Sequence, residues 1–248
     1  MNWLPPNGAL HGLALDHLMR WNLGIVFWLF VASQVLLVLA LGRRPRADAP
    51  TKPRSLFARI FIEFLPLLAI TALYVWMVVS SHKLWAAGRE SMTNPQAVQV
   101  EVTGVQFQWY FRYPGADGVY GALRPDLINA PAGNPLGLDP ADPHSADDIV
   151  SAILLLPAGR EANLRLRSQD VIHGLFIPGM RLKEDAIPGM MGDLQITPTT
   201  PGDYPILCSQ VCGLGHGRMQ ARLRVVPAAD YDSWLAKRER AIAAEAHP

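Results

Sequence analysis

Residues 208–219 read Cys208-Ser209-Gln210-Val211-Cys212-Gly213-Leu214-Gly215-His216-Gly217-Arg218-Met219, and they hold both cysteines of a 248-residue chain. The two thiols are four positions apart, followed at short intervals by an imidazole and a thioether. Thiolate, imidazole and thioether together suit copper, with zinc as the usual competitor. Structural zinc sites draw on paired Cys and His spacings and do not use methionine sulfur, so copper fits better. A mononuclear blue-copper site takes two histidines, one cysteine and a weak axial methionine. This segment supplies one histidine, one methionine and a cysteine to spare, and the spare thiolate is best used as a second bridge between two coppers. The other imidazole must then come from a distant part of the chain. His173, in Asp170-Val171-Ile172-His173-Gly174-Leu175-Phe176-Ile177-Pro178, is the candidate. Taken singly these residues have plainer readings: the cysteines could close a disulfide and His173 could be a hydrogen-bonded core residue. The full set in this order is what argues for a metal.

Outward from this segment, short apolar runs alternate with turn residues. Val98 to Thr103 alternates, and so do Val105, Phe107, Trp109 and Phe111 against Gln106, Gln108, Tyr110 and Arg112, as strands with one buried face do. Further runs cover 149–156, 161–167, 171–177, 193–197, 202–207 and 220–226. Many short strands at that spacing point to a β-sandwich or Greek-key barrel. The metal segment then lies between two strand ends. Residues 114–149 are rich in Pro, Gly, Asp and Asn, too long for a hairpin turn, and read as an irregular insertion where a partner contact can sit, with His144 solvated. Ala228 to Ala246 has helical spacing with Tyr231, Trp234 and Leu235 on one face, an amphipathic terminal helix.

The N-terminal third has a different chemistry. Only 17% of the residues are charged and half are apolar, which indicates that part of the chain avoids water. Residues 23–41 contain no charge over 19 positions and match the ~20 residues needed to cross a hydrocarbon core. Residues 60–81 form a second span containing Glu63 and Pro66, with Trp76, His82, Lys83 and Trp85 toward its other end. An acid inside a membrane segment is a functional candidate by default. Between the spans, residues 42–59 carry Arg43, Arg44, Arg46, Lys52, Arg54 and Arg59 against the single acid Asp48, which marks the cytoplasmic side. The expected layout is an extracytoplasmic segment 1–22, spans at 23–41 and 60–81, a β domain at 95–227 outside the membrane and a helix at 228–246. No cleaved signal peptide is expected, because residues 1–20 lack a basic start and a small-residue cleavage site.

At the metal segment the resemblance becomes specific. CSQVCGLGHGRM (208–219), with DVIHGLFIPGMRLKEDAIPGM (170–190) upstream, resembles the binuclear copper (CuA) site of subunit II of the haem-copper oxidases. That family has two N-terminal membrane helices followed by an all-β cupredoxin-like domain, so the resemblance covers most of the chain. It implies that Cys208 and Cys212 bridge two coppers, that His173 and His216 bind one each, that Met219 is a weak ligand and that Gln210 offers its backbone carbonyl. Laying GVQFQWYFRYP (104–114) over the family pattern GHQWYWSYEYP puts Phe107 at the tryptophan that receives the electron, with Trp109 two residues on, where a core role is the alternative. The family also places a glutamate near the start of the second helix, at the mouth of a proton path, in the spacing E-x-x-W-T-x-x-P. Glu63 precedes Pro66 by only three residues, and an acid that simply reaches the interface is the other reading. In many members position 210 is a glutamate that helps bind magnesium at the interface with subunit I; glutamine is a poorer ligand for a hard cation.

The resemblance implies an electron-transfer subunit of cytochrome-c oxidase, a proton-translocating oxidoreductase, with no catalytic residue in this chain. Its partners would be the lipid bilayer, subunit I with its haems, other membrane subunits, and cytochrome c or a similar donor, at a bacterial inner membrane with the copper domain on the periplasmic side. The segment 181–189 resembles the region facing subunit I and the donor. No nucleic-acid partner is expected. Residues 95–248 hold 13 Lys and Arg against 17 Asp and Glu, an excess of four acids that would steer a basic donor or be an ordinary solvated surface. Other readings remain: the copper subunit of a related nitric oxide reductase, a membrane-anchored copper carrier, or a receptor domain with a disulfide.

Overall fold

The computed structural model describes residues 4–43, 55–90, 94 and 96–246. The basic residues Arg44, Arg46, Lys52 and Arg54, on which the cytoplasmic assignment of the connecting loop rests, lie outside them. Contacts divide the chain into two units, one of residues 14–87 and one combining residues 1–13 with 88–248.

The first unit holds helices α1 (Gly12–Gly42) and α2 (Leu56–Glu90), of 31 and 35 residues. At 1.5 Å per residue they run about 46 and 52 Å, longer than the ~30 Å hydrocarbon core of a bilayer. Large apolar side chains such as Phe27, Leu36, Phe61 and Leu68 are exposed along them, as expected of helices solvated by lipid. Gly12–Gly42 and, within α2, Ile60–Ala86 are long and apolar enough to cross a membrane. Pro66 lies in the interior of α2 and removes one backbone donor there.

The second unit is a sandwich of two five-stranded sheets. One has the order β3 (Ile149–Ser151), β2 (Gln108–Tyr113), β1 (Val98–Val105), β5 (Ala162–Ser168), β8 (Gly192–Ile196); the other has β4 (Ile153–Pro157), β10 (Gln220–Val226), β9 (Gly202–Cys208), β6 (His173–Ile177), β7 (Leu182–Ala186). The pairs β1–β5 and β4–β10 are parallel and the rest antiparallel. Val100, Val102, Trp109, Phe111, Leu164 and Leu166 from the first sheet meet Leu154, Leu156, Leu175, Ile206 and Leu223 from the second in one buried core. Helix α3 (Ala228–Ala246) closes one side, with Tyr231 buried and Trp234 edge-on to Tyr113 at 5.2 Å.

Three features differ from the sequence reading. The alternation through 105–112 is broken by a hairpin turn at Gln106–Phe107, because β1 pairs with β2 from Val105↔Gln108 onward. Phe107 is therefore on the turn and 39% exposed, while Trp109 stays in the core. The run 149–156 is two strands, one in each sheet, joined at a corner where Ser151 Oγ bonds both the N–H and the carbonyl of Ile153. Strand β7 has a largely polar sequence that carries no strand signal; it is an edge strand with only Leu182 and Ala186 buried.

The insertion at 114–148 acts as a third layer. Glu101, Thr103 and Arg112 point away from the sandwich core, yet all are buried. Arg112 donates to Asp148 Oδ2 and to the carbonyl of Gly121, lies 3.5 Å from Glu101, and sits 5.1 Å over the Tyr120 ring. The N-terminal segment straps onto the same domain: Gly8 N–H donates to Gly179 O, Leu10 N–H to Thr197 O, and Arg181 to Pro5 O. The chain before α1 and the chain after α2 thus belong to one body.

Two outcomes are expected. Arg112→Met leaves the buried Asp148 carboxylate without its guanidinium, while Glu101 keeps Arg167 at 3.9 Å, and should destabilise the domain by about 3–5 kcal/mol, read as a lower Tm of the full chain in detergent; an unchanged Tm would refute the anchoring role. On the insertion, His144 Nδ1 lies 2.6 Å from Asp117 Oδ2. The hydrogen bond raises His144 above its ordinary 6.5 and lowers Asp117 below its ordinary 3.8. The contribution of the pair is full between those two values, fades as pH rises through the raised histidine value, and fades as pH falls through the lowered aspartate value. Amide protection at Val119 and Ser145, corrected for intrinsic exchange, should be greater at pH 5 than at pH 8.

Candidate metal centre

The loop 208–219 hangs between β9 and β10 and is closed at its base by Cys208 N–H donating to Met219 O at 3.1 Å. Cys208 is the last residue of β9 and pairs across the ladder with Leu175 of β6. The ladder continues one step, Ser209 N–H to Gly174 O at 2.9 Å, which brings the loop alongside His173, the first residue of β6. Within the loop Gly213 adopts φ +136°, a conformation that side-chain-bearing residues rarely take, and its carbonyl accepts from His216 N–H. A single 3-10 turn at His216–Arg218 then returns the chain to Met219.

This backbone gathers the expected donors. Cys208 Sγ and Cys212 Sγ are 3.8 Å apart, and both are free thiols. Cys212 Sγ lies 3.7 Å from His216 Nδ1 and 3.7 Å from Met219 Sδ. Cys208 Sγ is 3.1 Å from the backbone oxygen of Gln210. The ligand atoms of His173, Cys208 and Cys212 lie within 4.8 Å of one another. All six residues singled out in the sequence as copper donors are therefore brought together.

His173 is fully buried, so the partners of its ring decide what it can do. Its Nε2 is 2.7 Å from Asp170 Oδ1, whereas its Nδ1 is buried with no hydrogen-bond partner. A carboxylate accepting from Nε2–H leaves Nδ1 with a free lone pair, the arrangement in which imidazole binds metals. This is the opposite of a satisfied core histidine. Burial pushes the Cys212 thiol up to about 11, so a cation must displace a proton to bind it. Two soft thiols, an orphaned imidazole nitrogen, a second imidazole and a thioether fit copper.

Phe107 packs on the loop: a Cβ on Gly215 would enter its ring, and one on Gly213 would meet it at 3.2 Å. Trp109 stands edge-on to His173 with ring centroids 5.8 Å apart and an unpartnered indole N–H. The side chain of Gln210 donates to Asp185 Oδ2 at 2.9 Å and offers no carboxylate. Glu63 belongs to α2 in the other unit. Sequence reasoning overlooked the supports: Gly104, whose added Cβ would lie 2.8 Å from His173 Cδ2, Asp170, Gln106 and Asp185. Only Asp170, three residues before His173, had a local signal in its Asp-x-x-His spacing.

Comparison with known proteins gives one family. The model for "cytochrome C oxidase subunit II, periplasmic domain" matches residues 98–226, slightly more than half of the chain. A relative named alternative cytochrome c oxidase subunit 2, from Bradyrhizobium diazoefficiens, is 41% identical over 141 residues, covering 56% of this chain and 50% of its own length. Cytochrome c oxidase subunit 2 of a Synechocystis species is 31% identical over 147 residues, covering 59% of this chain and 34% of its own. The chain thus spans between a third and a half of the length of these relatives. The crystal structure of the periplasmic domain of subunit II of cytochrome oxidase from Bradyrhizobium japonicum aligns with TM-score 0.44 and 24% identity, over 60% of this chain and 98% of that one.

Gly104→Ala should drive the His173 ring out of place and lower copper affinity at least tenfold, given that changes around a ligand typically cost 10–100-fold. A spectroscopic copper titration of the full chain checks it; wild-type affinity would contradict the assignment of His173.

Proposed function

The chain belongs to the cytochrome c oxidase subunit II family, and from that membership we propose that it is the electron-entry subunit of a haem-copper terminal oxidase. The observation that carries this reading is the buried His173 ring, its Nδ1 without a hydrogen-bond partner and a ring nitrogen within 4.8 Å of two thiols that are themselves 3.8 Å apart. Cys208, Cys212, His173 and His216 would hold a pair of coppers, with Met219 and the Gln210 backbone carbonyl as weaker donors. Such a pair supplies one-electron transfer with little rearrangement. The residues do the rest: the β6–β9–β10 ladder holds the ligands rigid, Asp170 fixes the His173 tautomer, and Trp109 and Met219 exclude water from the inner side.

The outer side is where a donor would approach. Val211 and Leu214 on the loop are almost fully exposed and Phe107 partly so, which supports electron entry through this face, with Phe107 in the position of the family's tryptophan. The acid excess of the domain lies in the insertion, where Asp117, Asp126, Asp139, Asp142 and Asp147 are exposed or half-buried beside the single arginine Arg124, while Asp148 is buried against Arg112. A basic donor such as cytochrome c would be steered by it, with an association rate that falls as salt rises. Two lipid-solvated helices support a partner within the bilayer, the haem-bearing subunit I, which would reduce oxygen, and further membrane subunits beside it. The matched family model is of a periplasmic domain, which supports a bacterial inner membrane with residues 95–248 on its outer side. Glu63 is proposed only as a group at the start of a proton path; the magnesium site of the family is not proposed, since Gln210 lacks the carboxylate.

The oxidised full chain loaded with copper should give the electron paramagnetic resonance pattern of one electron shared by two equivalent coppers. A four-line mononuclear pattern or no signal would overturn the proposal. Cys212→Ser should bind at most one copper and abolish turnover of the assembled complex with a cytochrome donor, while the protein still inserts in the membrane.

A further inference from the structure

The ligands come from two places, and something must hold those places in register. His173 opens β6, while Cys212 sits in mid-loop, followed by Gly213, Gly215 and Gly217, a stretch with little stiffness of its own. The base of the loop is tied by Cys208 and Met219, which does not fix its middle. The β1–β2 turn of the other sheet reaches across to do so. The side-chain amide of Gln106 donates to the backbone carbonyl of Cys212 at 2.5 Å, and the main-chain N–H of the same residue donates to Asp170 Oδ2 at 2.7 Å. The second oxygen of Asp170 holds His173 Nε2 at 2.7 Å. One unbroken chain of hydrogen bonds thus runs from Cys212 through Gln106 and Asp170 to His173.

We propose that Gln106 is a positioning residue for the metal centre, clamping the mid-loop cysteine to the carboxylate that orients the distant histidine. The inference rests on the copper-pair reading and goes beyond it by assigning a role to a residue that binds no metal. Two kinds of consequence follow. Mechanically, without the clamp Cys212 and His173 can drift apart, and bound metal escapes faster. Electrostatically, the amide points the positive end of its dipole at the carbonyl of a copper-bridging residue. A partial positive charge there favours the state holding the extra electron, so losing it should lower the reduction potential.

The test uses the full chain in detergent, loaded with copper. Gln106→Met keeps the length and bulk of the side chain and removes the donor; Gln106→Asn keeps the amide but falls one methylene short. Gln108→Met, at an exposed position of β2, is the control. The Gln106 variants should lose copper to a chelator roughly 10–100-fold faster than wild type, the range typical of groups that support a ligand. They should also show a lower reduction potential and altered cysteine-proton hyperfine splitting. Their metal-free forms should melt with wild type, and the control should match wild type throughout. Wild-type release rate, potential and spectrum in Gln106→Met would overturn the clamp. Failure of both Gln106 variants to fold without metal would assign the residue to the fold and overturn it equally. If wild type itself never gives the two-copper spectrum, the copper-pair reading fails, a result separate from either of these.

Discussion

An interior polar atom without a partner costs about 1–3 kcal/mol, and Nδ1 of the fully buried His173 is such an atom. The neighbouring residues fix the orientation of the ring. Asp170 takes the other nitrogen, Gly104 leaves no room behind the imidazole, and Trp109 stands against its edge. A ring nitrogen lies within 4.8 Å of the two thiols.

The scaffold that imposes this is ordinary sheet chemistry carried to an unusual place. β9 and β10 pair through seven-residue strands, and β6 lies beside β9 for a short stretch that ends at the ligands. Small residues then do what large ones cannot. Gly174 allows the loop to lie against β6, where a Cβ would meet Ser209 Oγ, and Gly215 makes room for the Phe107 ring. The loop is thus backed by a partly exposed aromatic ring on its outer side and by the buried core on its inner side.

Away from the metal, the domain spends its polar groups on holding added layers. Arg112, Asp148 and Glu101 are buried together under the insertion, an arrangement that adds little net stability over an apolar one but penalises strongly any state in which one partner is exposed alone. It fixes where the insertion lies. Gln169, in the turn before His173, also donates weakly to Pro135 O at 3.5 Å, so the acidic layer reaches the rim of the metal face.

Local chemistry made much of this molecule readable from the chain alone. Donor identity at 208–219 and at His173, the two uncharged runs, and the Tyr231-Trp234-Leu235 face of α3 are properties of residue type and spacing, and those survive in any context. What the tertiary structure decided is everything that depends on distant segments meeting. The period-two pattern of 105–112 runs straight through a tight turn, so it could not reveal that Phe107 leaves the core side for the metal loop. Strand β7 is nearly invisible because an edge strand needs few apolar residues. Asp170, Gln106 and Gly104 acquire their roles from the approach of β1–β2 to β6 and the loop, and that approach is set by the packing of two sheets. Spacing along the chain records which atoms can bind a metal; only folding determines which of them are left without another partner.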